Sequence, residues 1–216
     1  MGALRLEVKM FILGRLLTNC YIVSCPKNRI AVIIDPGFET HEEAQQIVSY
    51  LNDNGIEPTA VINTHGHPDH VAGNKMMKEI FSIPILIHEG DAQMLGELGR
   101  KLARIYGFNI DTPPADKLLH DGEEVMLGQQ ILKVIHTPGH TPGSICIQVK
   151  NMLFTGDTLF AGSIGRVDFP HSSEEHMKAS LRRIKSLPDE LTVYPGHGPL
   201  TNLGEEKRLN PFLYDL

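Results

Sequence analysis

The amino-acid sequence predicts a layered α/β sandwich, and three observations carry that prediction. Each half of the chain reads as sheet-forming strands followed by helices. No internal repeat, low-complexity stretch or linker divides the halves. One idiom also recurs four times: a short apolar strand runs into a Gly-, Pro- or Thr-rich turn that carries His or Asp.

Taken in order, strands are expected over Leu4–Leu13, Asn19–Ser24 and Ile30–Asp35, the last ending at Pro36-Gly37. Thr40 opens a helix with Glu43 as the second half of a capping box, and Ala44, Ile47, Val48 and Leu51 form its apolar face. A strand over Thr59–Asn63 leads into a histidine-rich loop, then a helix near Val71–Phe81 and a strand over Ile83–His88. Met76 and Met77 sit at helical spacing with Ile80 and Phe81 and are read as packing residues. Residues 90–110 read as a loosely specified helix, weakened by Gly96, Gly99 and Gly107, and serve either as a connection or as a cover over the site. Strands follow at 123–127, 130–136, 144–149 and 151–155. A second capped helix is expected from Ser172, boxed to Glu175, with Met177, Leu181 and Ile184 inward. Strand Leu191–Tyr194 and a short helix near Gly204–Arg208 close the chain.

Composition narrows the class. The chain has 216 residues, 41% of them hydrophobic, enough for a sizeable core, and no apolar run approaches the ~20 residues that span a bilayer. Arg5, Glu7, Lys9 and Arg15 interrupt any secretory apolar region, and Leu6 stands where myristoylation needs Ser or Thr, so a soluble, unprocessed, cytoplasmic protein is expected, with no membrane partner. A net charge of −6 disfavours nucleic acid as a partner. Cys20, Cys25 and Cys146 form no C-x-x-C and read as buried strand thiols in a reducing compartment.

The telling number is 11 His. In His65-Gly66-His67-Pro68-Asp69-His70, residues two apart on extended chain face the same side, so His65 and His67 can grip one ion. Pro68 holds His67 extended and is at home in a helix's first turn, which carries Asp69 and His70 elsewhere. His140, Asp157 and His197 end the other three instances of the idiom. The expected arrangement puts His65, His67 and His140 on a first metal, Asp69, His70 and His197 on a second, and Asp157 between them. Imidazole and carboxylate without thiolate suit two divalent ions, zinc in first place with iron and manganese as alternatives. Two such ions, two carboxylates and a bridging hydroxide leave about +1, which suits attack of that hydroxide on a polarised carbonyl, with Asp69 and Asp157 as the catalytic carboxylates. Ala161-Gly-Ser163-Ile-Gly165 lacks the first Gly of G-x-S-x-G, so no serine nucleophile is indicated. Arg166 can hold a substrate carboxylate or pair with Asp168 on the surface. His41 and His176 are expected to be inert on helix faces, with His88, His120, His136 and His171 near strand ends as minor candidates.

With the later His140, Asp157 and His197, the H-x-H-x-D-H string resembles the metallo-β-lactamase fold superfamily over essentially the whole chain. The resemblance implies a four-layer αββα sandwich, with Asp35 of the Ile34-Asp35-Pro36-Gly37 turn supporting the metal loop from behind. Thr137–Gly143, Phe154–Asp157, Gly165–Pro170 and Gly204–Phe212 are similar to small hydroxyacylglutathione hydrolase (glyoxalase II)-like proteins. Residues 1–216 are then expected to form one domain, without the C-terminal helical domain of full-length relatives, because only 19 residues follow His197. A thiolate departs without the proton an amide nitrogen needs, so the expected substrate is a small acyl thioester, glutathione-linked in the resemblance. The alternatives are a mononuclear iron persulfide dioxygenase using His65, His140 and Asp157, and hydrolysis of another small ester or lactone.

Overall fold

In a computed structural model, which describes residues 6–214 and Leu216, two six-stranded sheets lie face to face with helices on both outer surfaces. The first sheet has the order β1 (Glu7–Leu13), β2 (Thr18–Cys25), β3 (Ile30–Ile34), β4 (Glu57–Ile62), β5 (Ile85–His88), β6 (Lys117–Leu119). Its β1–β2–β3 pairings are antiparallel, and β3 through β6 run parallel. The second sheet is ordered β12 (Thr201–Asn202), β11 (Thr192–Pro195), β10 (Met152–Gly156), β9 (Ile145–Val149), β8 (Gln130–His136), β7 (Glu124–Leu127), with only β10 and β11 parallel.

Side-chain alternation builds three apolar layers from these strands. Tyr21, Val23, Val32 and Ile34 of the first sheet meet Val134, Ile147, Met152 and Phe154 of the second. Their neighbours Cys20, Ile22, Ala31 and Ile33 face outward, against Ala44, Ile47 and Leu51 of α1 (His41–Asp53) and Met77 of α3 (Asn74–Phe81). On the far side Ile135, Cys146, Leu153 and Val193 pack on Met177, Leu181 and Ile184 of α5 (Glu174–Lys185). The result is the four-layer αββα sandwich. The three cysteines are free and buried, and Cys20 and Cys146 lie on opposite outer layers.

The α1 capping box forms as expected, with Thr40 Oγ1 accepting from Glu43 N at 3.2 Å. Elsewhere the structure corrects the sequence reading. The start of the first expected strand, Leu4 and Arg5, lies outside the described residues. The helix expected over Val71–Phe81 is two short ones, α2 (Pro68–Val71) and α3, and at the break the Gly73 amide donates to the Pro36 carbonyl at 2.7 Å, a close approach that leaves no room for a Cβ. Residues 90–110 split into a 3-10 turn at Glu89–Met94 and α4 (Gly96–Ile105), separated by Leu95 in extended conformation. The α5 cap is Ser173, accepting from His176 N at 3.2 Å, and not Ser172, whose hydroxyl donates to the His140 carbonyl at 2.7 Å. The short strands β6 and β12 were not anticipated, and the closing helix is two, α6 (Leu203–Leu209) and α7 (Pro211–Tyr214).

Phe154 anchors the inter-sheet layer, its ring 5.3 Å from Tyr21 and 4.8 Å from Tyr194, while Tyr21 Oη donates to the Pro195 carbonyl at 2.7 Å. Phe154→Ala leaves a cavity that neighbouring strands cannot collapse into. It is expected to lower stability by about 3–5 kcal/mol, measured by equilibrium urea unfolding of the metal-free protein.

Candidate metal centre

The strand directions decide where the chemistry collects. The carboxyl ends of β3, β4, β8, β10 and β11 all reach one edge of the sandwich, the favoured position for sites in sheets with parallel strands. Asp35 follows β3, the His65–His70 loop follows β4, His140 follows β8, Asp157 follows β10 and His197 follows β11. Backbone bonds stitch the two sheets there: Ile145 N donates to the Thr64 carbonyl at 2.8 Å, and Asn19 N to the Gly196 carbonyl at 2.7 Å. Two glycines make the close approach possible. Gly156, at φ +47°, lies against Thr64, and a Cβ on Gly196 would strike the Asp157 carboxylate.

All seven sequence-predicted ligand residues converge. One nitrogen from each of His65, His67 and His140 lies within 4.8 Å of the others, and so does one ligand atom from each of Asp69, His70 and His197. Asp157 sits between the sets, Oδ1 3.3 Å from His70 Nε2 and Oδ2 3.5 Å from His140 Nε2 and 3.7 Å from His197 Nε2.

The outward nitrogen of each imidazole has its own partner, which fixes the orientation of the inward one. His140 Nδ1 donates to the Arg166 carbonyl at 2.9 Å, and His197 Nδ1 to the Leu16 carbonyl at 3.1 Å. His70 Nδ1 meets Asp35 Oδ2 at 3.0 Å. Thr64 Oγ1 spends its proton on Asp35 Oδ2 at 2.6 Å, so His65 Nδ1, 3.2 Å from Thr64 Oγ1, is the donor and His65 Nε2 is left bare. Asp35 adopts φ +50° at this turn and accepts from Thr64 N as well, at 2.7 Å, so its supporting position is the one the resemblance implies.

Two observations show that this donor set fits divalent cations. His65 Nε2 and Asp157 Oδ1 are buried without a hydrogen-bond partner, an arrangement that costs free energy unless something positive fills it. Asp35, Asp69, Asp91 and Asp157 are all buried or nearly so, and among the described residues no Lys or Arg pairs with any of them.

Titration divides the two sets. Burial, reinforced by neighbouring imidazoles, pushes His65 well below the usual histidine range and His67 down to about 3. Burial opposes charge on His70 too, but Asp69, Asp157 and Asp35 hold it well above its usual value, and Asp69 and Asp157 do the same for the less buried His197. Burial would raise Asp69 and Asp157, yet the His70 charge brings both below the ordinary carboxylate range.

Of the four minor histidine candidates, only His171 reaches this centre, its Nε2 3.0 Å from His67 Nε2. His88 and His136 stack on each other with centroids 4.0 Å apart, and His120 pairs with Glu89 at 3.1 Å. His41 and His176 are exposed. Sequence reasoning missed Asp91 outright. This fully buried carboxylate accepts from Gly66 N at 2.8 Å, Thr141 Oγ1 at 2.7 Å and Gly143 N at 2.6 Å. The signal was present, since β5 also runs out into a turn, Glu89-Gly90-Asp91, at the same edge.

Above the ligands opens a cavity of about 410 Å³, walled by Leu16, Tyr106, Phe108, Phe160, Ile164 and Phe169. The end of α4 and the segment after it therefore form part of the wall. Arg166 lies at this cavity, its guanidinium 4.4 Å from the Phe169 ring, with Nε and Nη2 donating to Asp168 at 2.9 and 2.8 Å. The surface pair expected from the sequence thus exists alongside the cavity position.

Comparison with known proteins agrees with this geometry. A sequence model of the metallo-beta-lactamase superfamily matches residues 13–197. The hydroxyacylglutathione hydrolase GloC of Haemophilus influenzae is 35% identical over 200 residues, covering 90% of this chain and 92% of that protein. The BLEG-1 B3 metallo-beta-lactamase structure superposes with a TM-score of 0.87 at 36% identity, covering 96% of this chain and 99% of its own. TTHA1623 in a di-iron-bound form gives a TM-score of 0.84 at 36% identity, covering 95% of this chain and 100% of that one.

The division in titration has a measurable consequence. A cation entering the Asp69–His70–His197 set displaces protons that the carboxylates stabilise on His70 and His197, whereas the His65–His67–His140 set includes two imidazoles that are already neutral. Lowering the pH from about 8 to about 5.5, across ordinary imidazole titration, is therefore expected to strip the second set first. Metal per chain after desalting at each pH should fall from two to one before it falls to zero, with proton release on reloading.

Proposed function

Because the chain belongs to the metallo-beta-lactamase superfamily, we propose that it is a dinuclear metal-dependent hydrolase of acyl thioesters, with a hydroxyacyl-glutathione as the type of substrate. The observation that carries this reading is the pairing of two complete ligand sets around Asp157 in one buried edge. Similarity to GloC supports the thioester, since that relative's name states hydroxyacylglutathione hydrolysis.

Bound at these sets, the ions would supply a hydroxide at neutral pH and a Lewis acid for the carbonyl oxygen. His65, His67 and His140 would hold the first ion, Asp69, His70 and His197 the second, and Asp157 both. The two sets are built for different tasks. The first offers three imidazoles and shares only the Asp157 carboxylate, which leaves a held cation more of its charge toward an acyl oxygen. In the second, Asp69 stays ionised and is steadied by Thr18 Oγ1 at 3.2 Å and His197 Nε2 at 3.2 Å, so it can orient a nucleophile's proton. The aromatic walls exclude bulk water from the acyl group and strengthen these interactions. Asp168 accepts from Arg166 Nε and Nη2, and among the described residues nothing accepts from Nη1, so this arginine would hold a polar group of the substrate at the mouth. A thiolate leaves without the proton an amine needs, which makes a thioester the least demanding substrate for this centre.

The metal-loaded enzyme is expected to release thiol from S-lactoylglutathione and related acyl thioesters. Opening of a chromogenic cephalosporin without thioester cleavage overturns the substrate. Oxygen uptake driven by glutathione persulfide, with one iron per chain, replaces the reading by the dioxygenase. His65→Ala or Asp157→Ala should lower thioester turnover at least about a hundredfold with loss of metal. Arg166→Ala should raise KM severalfold at unchanged kcat, as expected for binding that the ground and transition states share.

A further inference from the structure

We infer that Asp91 is a positioning residue which sets the register between the His65–His67 loop and the His140 loop, and so assembles the first ligand set. The inference rests on the metal-centre reading above but not on the choice of substrate.

The two loops come from different sheets, following β4 and β8, with His67 and His140 73 residues apart in sequence. Asp91 spends both carboxylate oxygens joining them. Oδ2 accepts from Gly66 N, the amide between His65 and His67, and from Thr141 Oγ1, on the residue after His140. Oδ1 accepts from Gly143 N, at the far end of the same His140 loop. Thr141 is itself tied across that loop, its amide donating to Ser144 Oγ at 3.1 Å, so a pull on Thr141 moves the turn as a unit.

The packing beneath these bonds tells the same story independently. Both loops present bare glycine backbone to the 3-10 turn that carries Asp91. A Cβ on Gly66 would collide with Met94, and one on Gly143 with the backbone nitrogen of Asp91. A Cβ on Gly90 would come within 2.9 Å of Gly143 Cα and the Pro142 carbonyl. The turn at Glu89–Met94 is thus a seat for both histidine loops, and Asp91 is the group that fastens them to it.

An acceptor-only carboxylate is required there, because all three partners are donors. In Asp91→Asn the amide nitrogen must face either Gly143 N–H or the Gly66 and Thr141 donors, so one loop is released while side-chain size is kept. The second ligand set depends on Asp35 for its support instead, through His70 Nδ1, and has no bond to Asp91. The effect is therefore confined to one of the two sets.

The test loads the whole protein with cadmium-113 and reads both sites by NMR, since a site of three imidazoles and the shared carboxylate and a site of two imidazoles and two carboxylates resonate apart. Wild type is expected to give two resonances. Asp91→Asn should weaken cadmium at the three-imidazole set by about 10–100-fold in a chelator competition, with the second resonance retained. Thr141→Val, which keeps the side-chain shape but removes the hydroxyl that meets Asp91 Oδ2 and Ser144 Oγ, should give a smaller loss at the same set and covers the case in which Asp91→Asn does not fold. Equal affinity at both sets in the folded variants, or parallel weakening of both, overturns the inference while leaving the metal centre intact. Failure of wild type to bind any cadmium overturns the metal-centre reading and this inference with it.

Discussion

The structure depends on gathering acids and imidazoles in a place where water cannot solvate them. Carboxylates removed from water must find positive charge or several donors, or they protonate. Here the donors are spent on holding side chains in position: Thr64 on Asp35, Thr18 on Asp69, and Gly66, Thr141 and Gly143 on Asp91. The inward-facing atoms, His65 Nε2 and Asp157 Oδ1, are left without such partners. The same edge that is unfavourable as bare protein becomes balanced once cations enter, and the arrangement of the strand ends follows from that need.

Much of this was legible in the sequence because the informative segments are short and stiff. A strand whose apolar residues alternate between two layers has little choice of face, so the ends of β4, β8, β10 and β11 are fixed once the layers are. His65, His67, Asp69, His70, His140, Asp157 and His197 could be named for that reason. Less legible were features set by contact between distant segments. At the break between α2 and α3 the Gly73 amide bonds to the distant Pro36 carbonyl, a fact absent from the local pattern of residues 71–81. The α5 cap moved by one residue because Ser172 has a stronger tertiary partner in the His140 carbonyl. Asp91 repeats the strand-to-turn idiom three residues after His88, and its role appears only when the loops it accepts from are seen together. His171 offers no local signal that separates it from His88, His120 or His136.

The cavity above the centre adds the element on which selectivity rests. Its walls are aromatic and aliphatic, with polar groups at the floor and the rim. Arg15 fixes one wall: its guanidinium pairs with Glu39, donates to the Gly107 carbonyl at 3.1 Å, and lies 4.8 Å from the Phe108 ring. Arg166 and Phe169 form the facing pair. The shape of the opening is thus set by segments outside the ligand motifs, which lets related chains share a centre while differing in what they admit.

Each of the two ligand sets draws on both sheets: His65 and His67 with His140 across the gap, Asp69 and His70 with His197 across it. An ion in either set would therefore act as a rivet between the halves of the sandwich. Anything that binds only the folded form deepens its well by mass action, so resistance to heat and proteolysis would rise and fall with the supply of free cation. Starved of metal, such a protein would loosen along the very seam where its chemistry is done, and its lifetime would shorten together with its activity.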